Sequence, residues 1–138
     1  MRHVNTICLC GSVKYLDEFK LANIELTTRG MSVITISMAL DQTQQRERAN
    51  VKEILDLVHF NKILRSDAVV VVGSGYIGFS TAREILWAQM QGKLLYWLHH
   101  RNLAGEFLWS SLLTDISEGE DDSVALIKKA MQVLKAQA

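Results

Sequence analysis

Just past a glycine-rich turn, Gly73-Ser74-Gly75-Tyr76-Ile77-Gly78, stand Ser80, Thr81 and Glu84, and a second glycine–serine turn occurs at Gly11-Ser12. These residue types at this spacing describe a place where a polar ligand meets a carboxylate. Glycine lets the backbone come up to a ligand without a Cβ in the way, and a helix opening after the turn aims free N–H groups at the same point. A glutamate one turn into that helix can attack, or stabilise, a positive charge developing on a sugar, as carboxylates do in retaining glycoside chemistry. Glu84 also has a purely structural reading. Thr81-x-x-Glu84 matches the capping box, in which the glutamate hydrogen-bonds back to the N–H of the cap residue. The two roles are not exclusive, and the spacing leaves both open.

The elements that must position these residues follow from periodicity. Val69 to Val72 is a run of four valines, the pattern of a strand buried on both faces. Residues 4–10 are β-prone and end at Gly11-Ser12, giving a first strand. Leu16, Phe19, Ala22 (or Asn23) and Leu26 recur at helical steps between Lys14 and Arg29, and Gly30 closes that helix. Met31–Ile36 forms a second strand, and 37–48 is a polar loop long enough to be functional. A second helix over Ala49–Arg65 carries Val51, Ile54, Leu55, Val58 and Lys62 (or Ile63) inward, and Ser66-Asp67 leads into the valine strand. A third helix spans Thr81–Gln91, with Gly92 closing it, and Lys93–Leu98 is strand four. Phe107–Leu113 reads as a short helix and Ser117–Asp122 as a solvated acidic loop. Ser123 caps a last helix with Val124, Ile127, Ala130 (or Met131) and Leu134 on one face.

Alternating strands and helices predict a single α/β domain over 1–138, a three-layer sandwich around a flavodoxin-like parallel sheet of four to five strands, ordered 2-1-3-4, with helices on both faces. Ligands of such sheets bind at the carboxyl ends of the strands where the order reverses, here between strands one and three. That rule brings Gly11, Ser12 and Tyr15 together with Gly75, Gly78, Ser80, Thr81 and Glu84. It excludes Asp67, which begins strand three at the opposite end.

Composition narrows the ligand. With 138 residues the chain needs no disulfide staples, and 15 basic against 15 acidic side chains create no net field, which argues against a nucleic-acid polymer as partner. No apolar run reaches membrane-span length and the N-terminal residues lack signal-peptide shape, so a cytoplasmic protein without a membrane partner is expected. Cys8 and Cys10 share one face of strand one as buried free thiols of a reducing compartment; without a second pair they are not expected to hold zinc. The turn at 73–78 fits G-x-G-x-x-G, but that dinucleotide fingerprint belongs in the first βαβ unit with an acidic residue about twenty positions on. Here the next strand ends in His99-His100-Arg101, which would suit at best a 2′-phosphate and reads more readily as a solvated loop. Trp87, Trp97 and Trp109 are expected in packing or at a subunit interface.

Three segments taken together carry a resemblance. Cys10-Gly11-Ser12, then His59 through Asp67 into the valine strand, then Gly75-Tyr76-Ile77-Gly78-Phe79-Ser80-Thr81-Ala82-Arg83-Glu84-Ile85 with Ala88 and Gly92-Lys93, resemble the nucleoside 2-deoxyribosyltransferase family over roughly residues 4–98. That family includes the 2′-deoxynucleoside 5′-phosphate N-hydrolases. The resemblance implies that Glu84 is the nucleophile that attacks C1′ of a nucleoside or nucleotide and releases its base, with water or a second base resolving the glycosyl-enzyme. It implies that Gly11-Ser12 and Ser80 contact the sugar or phosphate, that Tyr15 is the pocket tyrosine, and that a homodimer or larger homo-oligomer completes the pocket. No metal or organic cofactor is expected. The chain departs from the family at one point. Eight residues before the strand's aspartate the family carries an aspartate that handles the leaving base, and this chain has His59, which can donate a proton near neutral pH with Asp56 one turn earlier favouring its charged form. The alternative expectation is a catalytically silent nucleotide-binding or sensing module of the same fold.

Overall fold

The structure, a computed structural model, describes residues 4–36, 51–73, 76–98 and 120–136. Four strands, β1 (Thr6–Cys10), β2 (Ser32–Ile34), β3 (Ala68–Val72) and β4 (Leu94–Leu98), form a parallel sheet ordered β2-β1-β3-β4. Helices α1 (Leu16–Thr28), α2 (Val51–Leu64), α3 (Phe79–Met90) and α4 (Glu120–Ala136) cover it, and a short 3-10 turn, Val13–Tyr15, leads into α1. Sheet order and fold class are those expected from the sequence.

The strand alternation sorts side chains between two cores. Ile7 and Leu9 of β1, Ala68, Val70 and Val72 of β3 and Tyr96 of β4 meet Phe19, Ala22 and Leu26 of α1 on one face. Cys8 and Cys10, Val69 and Val71, and Leu95 point the other way, against Ile63 of α2, Ala82, Ile85 and Ala88 of α3, and Leu126 and Ala130 of α4. All five β3 residues are buried, as the valine run requires of a strand covered on both faces. Each such valine contributes roughly 1.5–3 kcal/mol by leaving water. The connection from β1 through α1 runs to one side and those through α2 and α3 run to the other. Crossovers of one hand therefore place α1 on one face and α2 and α3 on the other. Asp67 does lie at the far end: its Oδ2 accepts from the N–H groups of Asn5 and Thr6 at 2.9 and 3.0 Å, tying the entry of β3 to that of β1.

Three local expectations are corrected. Helix α3 opens at Phe79, two residues earlier than expected, with Gly78 as its N-cap. Helix α2 turns a different face inward: Leu55, His59, Phe60 and Ile63 face the protein, while Ile54 and Val58 are exposed. The helix carries more apolar residues than one face can hold, so periodicity did not single out the buried stripe. Helix α4 starts at Glu120, so Ser123 lies inside it and residues 120–122 of the expected acidic loop are helical. Its buried residues are Leu126 and Ala130, with Ile127 and Leu134 half-buried and Val124 exposed. The loop at 37–48, His99 to Arg101, Phe107–Leu113, Trp109 and Gly75 lie outside the described residues.

Candidate active site

At the carboxyl ends of β1 and β3 the chain bends where only glycine fits. Gly11 has φ +148°, and a Cβ there would stand 2.5 Å from the carbonyl oxygen of Val72. Gly73 has φ +133°, and its Cβ would stand 2.5 Å from the ring of Tyr15. Both values lie in the region that L side chains rarely adopt, so the two turns interlock through glycine on both counts. The Tyr15 ring is wedged against Gly73, its hydroxyl accepts from the Tyr76 N–H at 3.2 Å, and the Trp97 indole donates to the Gly73 carbonyl at 3.2 Å. Tyr15 thus braces the second turn from behind and does not line the cavity.

Beyond these turns lies a cavity of about 330 Å³, within the size range of small-molecule sites. Most of its lining comes from three places. Gly11, Ser12 and Val13 come from the end of β1, Asp56 and His59 from α2, and Gly78, Ser80, Thr81 and Glu84 from the start of α3. The early start of α3 removes the capping-box reading of Glu84. With Gly78 as N-cap, Thr81 is the third helical residue and Glu84 the sixth, so no capping box forms. Glu84 is buried on the inward face, 7% exposed. Two further features mark the helix start beside the cavity. The first-turn N–H groups have no intrahelical carbonyl to bond, and Gly78 provides no side-chain cap. The shielded Oγ of Ser80 has no hydrogen-bond partner among the described residues.

His59 stands opposite Glu84. Its Nε2 is 3.7 Å from Glu84 Oε2, 3.1 Å from Cys10 Sγ and 3.8 Å from Cys8 Sγ. Four ionisable groups from β1, α2 and α3 thus share one buried volume, and their charges are interdependent. Burial pushes the Glu84 carboxyl up to about 7; the charges of Asp56 and Cys8 add to that, while His59 and the Cys10 thiol oppose it. Burial alone would lower His59, but the hydrogen bond with Cys8 and the charge of Glu84 outweigh it and hold the imidazole above its usual 6.5. The Cys10 hydrogen bond and His59 hold Cys8 down to about 6, against burial, whereas burial and the neighbouring Cys8 and Glu84 drive Cys10 well above the ordinary thiol range. Asp56 was expected to support the charged form of His59. It pairs instead with Arg83 at 3.7 Å, and its charge bears on Glu84. The Arg83 guanidinium lies 5.7 Å from the ring centres of both Phe60 and Phe79, and Phe60 stacks on Trp87 at 4.9 Å, so this rim of the cavity is one packed unit between α2 and α3.

Of the residues singled out in the sequence, Gly11, Ser12, His59, Gly78, Ser80, Thr81 and Glu84 line this same cavity; Tyr15 stands behind it. The sequence reading missed Val13, Ile36, Leu55, Tyr76 and Phe79 as lining residues. Tyr76 had a usable signal, since an aromatic residue inside a glycine turn has little core to enter; it is half exposed with the Lys14 ammonium 4.1 Å from its ring centre. Cys8 and Cys10 are the buried free thiols that the sequence predicts. Their sulfurs lie against the imidazole of a cavity residue.

No protein-family profile matches the chain, and no curated protein does. Solved structures do. A 2-deoxyribosyltransferase from Bacillus psychrosaccharolyticus superposes with a TM-score of 0.55 at 16% identity, covering 67% of this chain and 70% of that one. The CMP N-glycosidase BcmB of Clostridium botulinum gives a TM-score of 0.46 at 15% identity over 83% of this chain and 82% of its own. The first of these shows that the chain shares the fold of a 2-deoxyribosyltransferase.

Proposed function

We propose that the protein is an enzyme that cleaves or exchanges the N-glycosidic bond of a nucleoside or nucleoside 5′-monophosphate, with Glu84 as nucleophile. The observation that carries the reading is the placement of Glu84: a carboxylate on the inner face of α3, not engaged in capping, that borders a ligand-sized cavity beside an imidazole. The fold shared with a 2-deoxyribosyltransferase and the resemblance of the three sequence segments support the same chemistry.

In this reading the sugar enters with C1′ over Glu84. The carboxylate attacks C1′, the C1′–N bond breaks, and its electron pair leaves with the base, which takes a proton from the imidazolium of His59. Neutral His59 then removes a proton from water, or from an incoming base, as that group attacks C1′ and frees the Glu84 carboxylate. The proton balance needs Glu84 ionised and His59 charged at the start. Their mutual attraction at 3.7 Å favours that arrangement over the neutral pair. The open N–H groups at the start of α3 and the Gly11-Ser12 turn are available to a sugar hydroxyl or a 5′-phosphate.

The test is release of free base from a panel of deoxynucleosides, ribonucleosides and their 5′-monophosphates, followed by chromatography. Release by the wild-type chain and its loss by at least about three orders of magnitude in Glu84→Ala is expected. Ligand binding without base release above that control would instead assign the protein as a nucleotide-binding module.

A further inference from the structure

We propose that Cys8, Cys10 and His59 form a binding site for a thiophilic metal ion of the zinc(II) class, closed on its fourth side by Glu84 or by a water from the cavity. The three ligand atoms, two thiol sulfurs and one imidazole nitrogen, lie within 4.8 Å of one another. The sulfur-to-nitrogen separations are 3.1 and 3.8 Å, and Glu84 Oε2 is 3.7 Å from the same nitrogen. A tetrahedral ion with ~2.3 Å bonds to sulfur and ~2.0–2.1 Å bonds to nitrogen and oxygen sets its ligands roughly 3.3–3.8 Å apart, so the three separations from the His59 nitrogen need adjustments of only tenths of an ångström.

The fold dictates this meeting. Residues two apart on a strand point the same way, so β1 sends both sulfurs to the face that α2 covers, and α2 sends His59 down onto them. Two thiols and an imidazole suit zinc and its soft neighbours and disfavour the hard cations that prefer oxygen. Charge points the same way. Binding forms two metal–sulfur bonds and one metal–nitrogen bond, and the thiol and imidazolium protons leave to solvent, with no change of oxidation state. A divalent ion then offsets two of the three negative charges that two thiolates and Glu84 carry, in a volume where burial opposes the charge on each of them. His59 and Glu84 border the cavity, which gives the ion a way in. Metal occupancy takes the His59 nitrogen and crowds Glu84, so it competes directly with the proton transfer proposed above. The site itself does not depend on that reading.

The experiment uses the full chain, stripped with a chelator and titrated with cobalt(II) under reducing conditions. One equivalent per chain is expected to produce a thiolate-to-cobalt charge-transfer band in the near ultraviolet with intense tetrahedral d–d bands, and zinc(II) is expected to bleach both. Cys8→Ser and Cys10→Ser should each weaken binding by ~100-fold or more, whereas Glu84→Gln should keep the charge-transfer band, with circular dichroism confirming that each variant is folded. Absence of the band in folded wild-type protein overturns the proposal, as does a band that persists in the double variant Cys8→Ser/Cys10→Ser. The bands report the metal whether or not base is released. Where base release is present, inhibition by zinc that is lost in Cys10→Ser adds the functional consequence.

Discussion

Glu84 and Asp56 illustrate how a neighbour with no direct contact in the proposed chemistry sets its pH range. The Glu84 carboxyl sits near 7 mainly because it is buried, and the Asp56 charge pushes it further in the same direction. A nucleophilic carboxylate is active only when ionised, so base release should fall as pH drops through the Glu84 value. In Asp56→Asn the repelling charge is gone, the Glu84 value falls, and the acidic limb of kcat/KM against pH should move to lower pH by a fraction of a unit in chelator-treated protein. A limb that stays in place or moves upward contradicts the assignment. The height of the profile is a separate matter, because Asp56 also lines the cavity and pairs with Arg83.

At the scale of elements, the site depends on two turns that lock at the ends of adjacent strands. The Tyr15 ring occupies the space that a side chain on residue 73 would need, and the backbone there has φ +133°. Gly73→Ala combines a steric clash with an unfavourable backbone and should cost ~2–4 kcal/mol of stability in denaturant unfolding. Gly92 offers a control: it has φ +71° and nothing within 4 Å of an added Cβ, so Gly92→Ala should cost only ~1–2 kcal/mol. Equal costs at the two positions would mean that the Tyr15 contact contributes nothing.

For the molecule as a whole, the buried carboxylate is a burden on folding. Its folded value of about 7 exceeds the ordinary 4.5, so the native state binds the proton more tightly than the unfolded chain. The sign follows: stability falls as pH rises between those values, and above them the ionised Glu84 costs on the order of 3 kcal/mol. Glu84→Gln keeps the shape and removes the charge. Its melting temperature should exceed that of the wild-type protein by roughly 5–10 °C at pH 8, with the gap closing toward pH 4. A variant no more stable than wild type at pH 8, or a gap that widens in acid, contradicts that account. Among the described residues no helix is long and apolar enough to cross a membrane.

Strand order, fold class and the location of the crevice were legible in the sequence, because a four-valine run, helical repeats and closing glycines are local signals and the crossover rule converts them to a topology. Phe19, Ala22 and Leu26 were likewise legible as the inner face of α1, since they recur at helical steps, although Leu21 and Ile24 of the same helix are exposed. What depends on three-dimensional contact was not. Thr81-x-x-Glu84 satisfies the capping pattern, and only the start of α3 at Phe79 removes Glu84 from that role. Helix α2 has apolar residues on several faces, and only packing against β1 chose the one that carries His59. Cys8, Cys10, His59 and Glu84 are separated by up to 76 positions in the chain, and no local pattern links them. Burial and proximity, which exist only once β1, α2 and α3 are packed, give those four groups their shared charge and their chemistry.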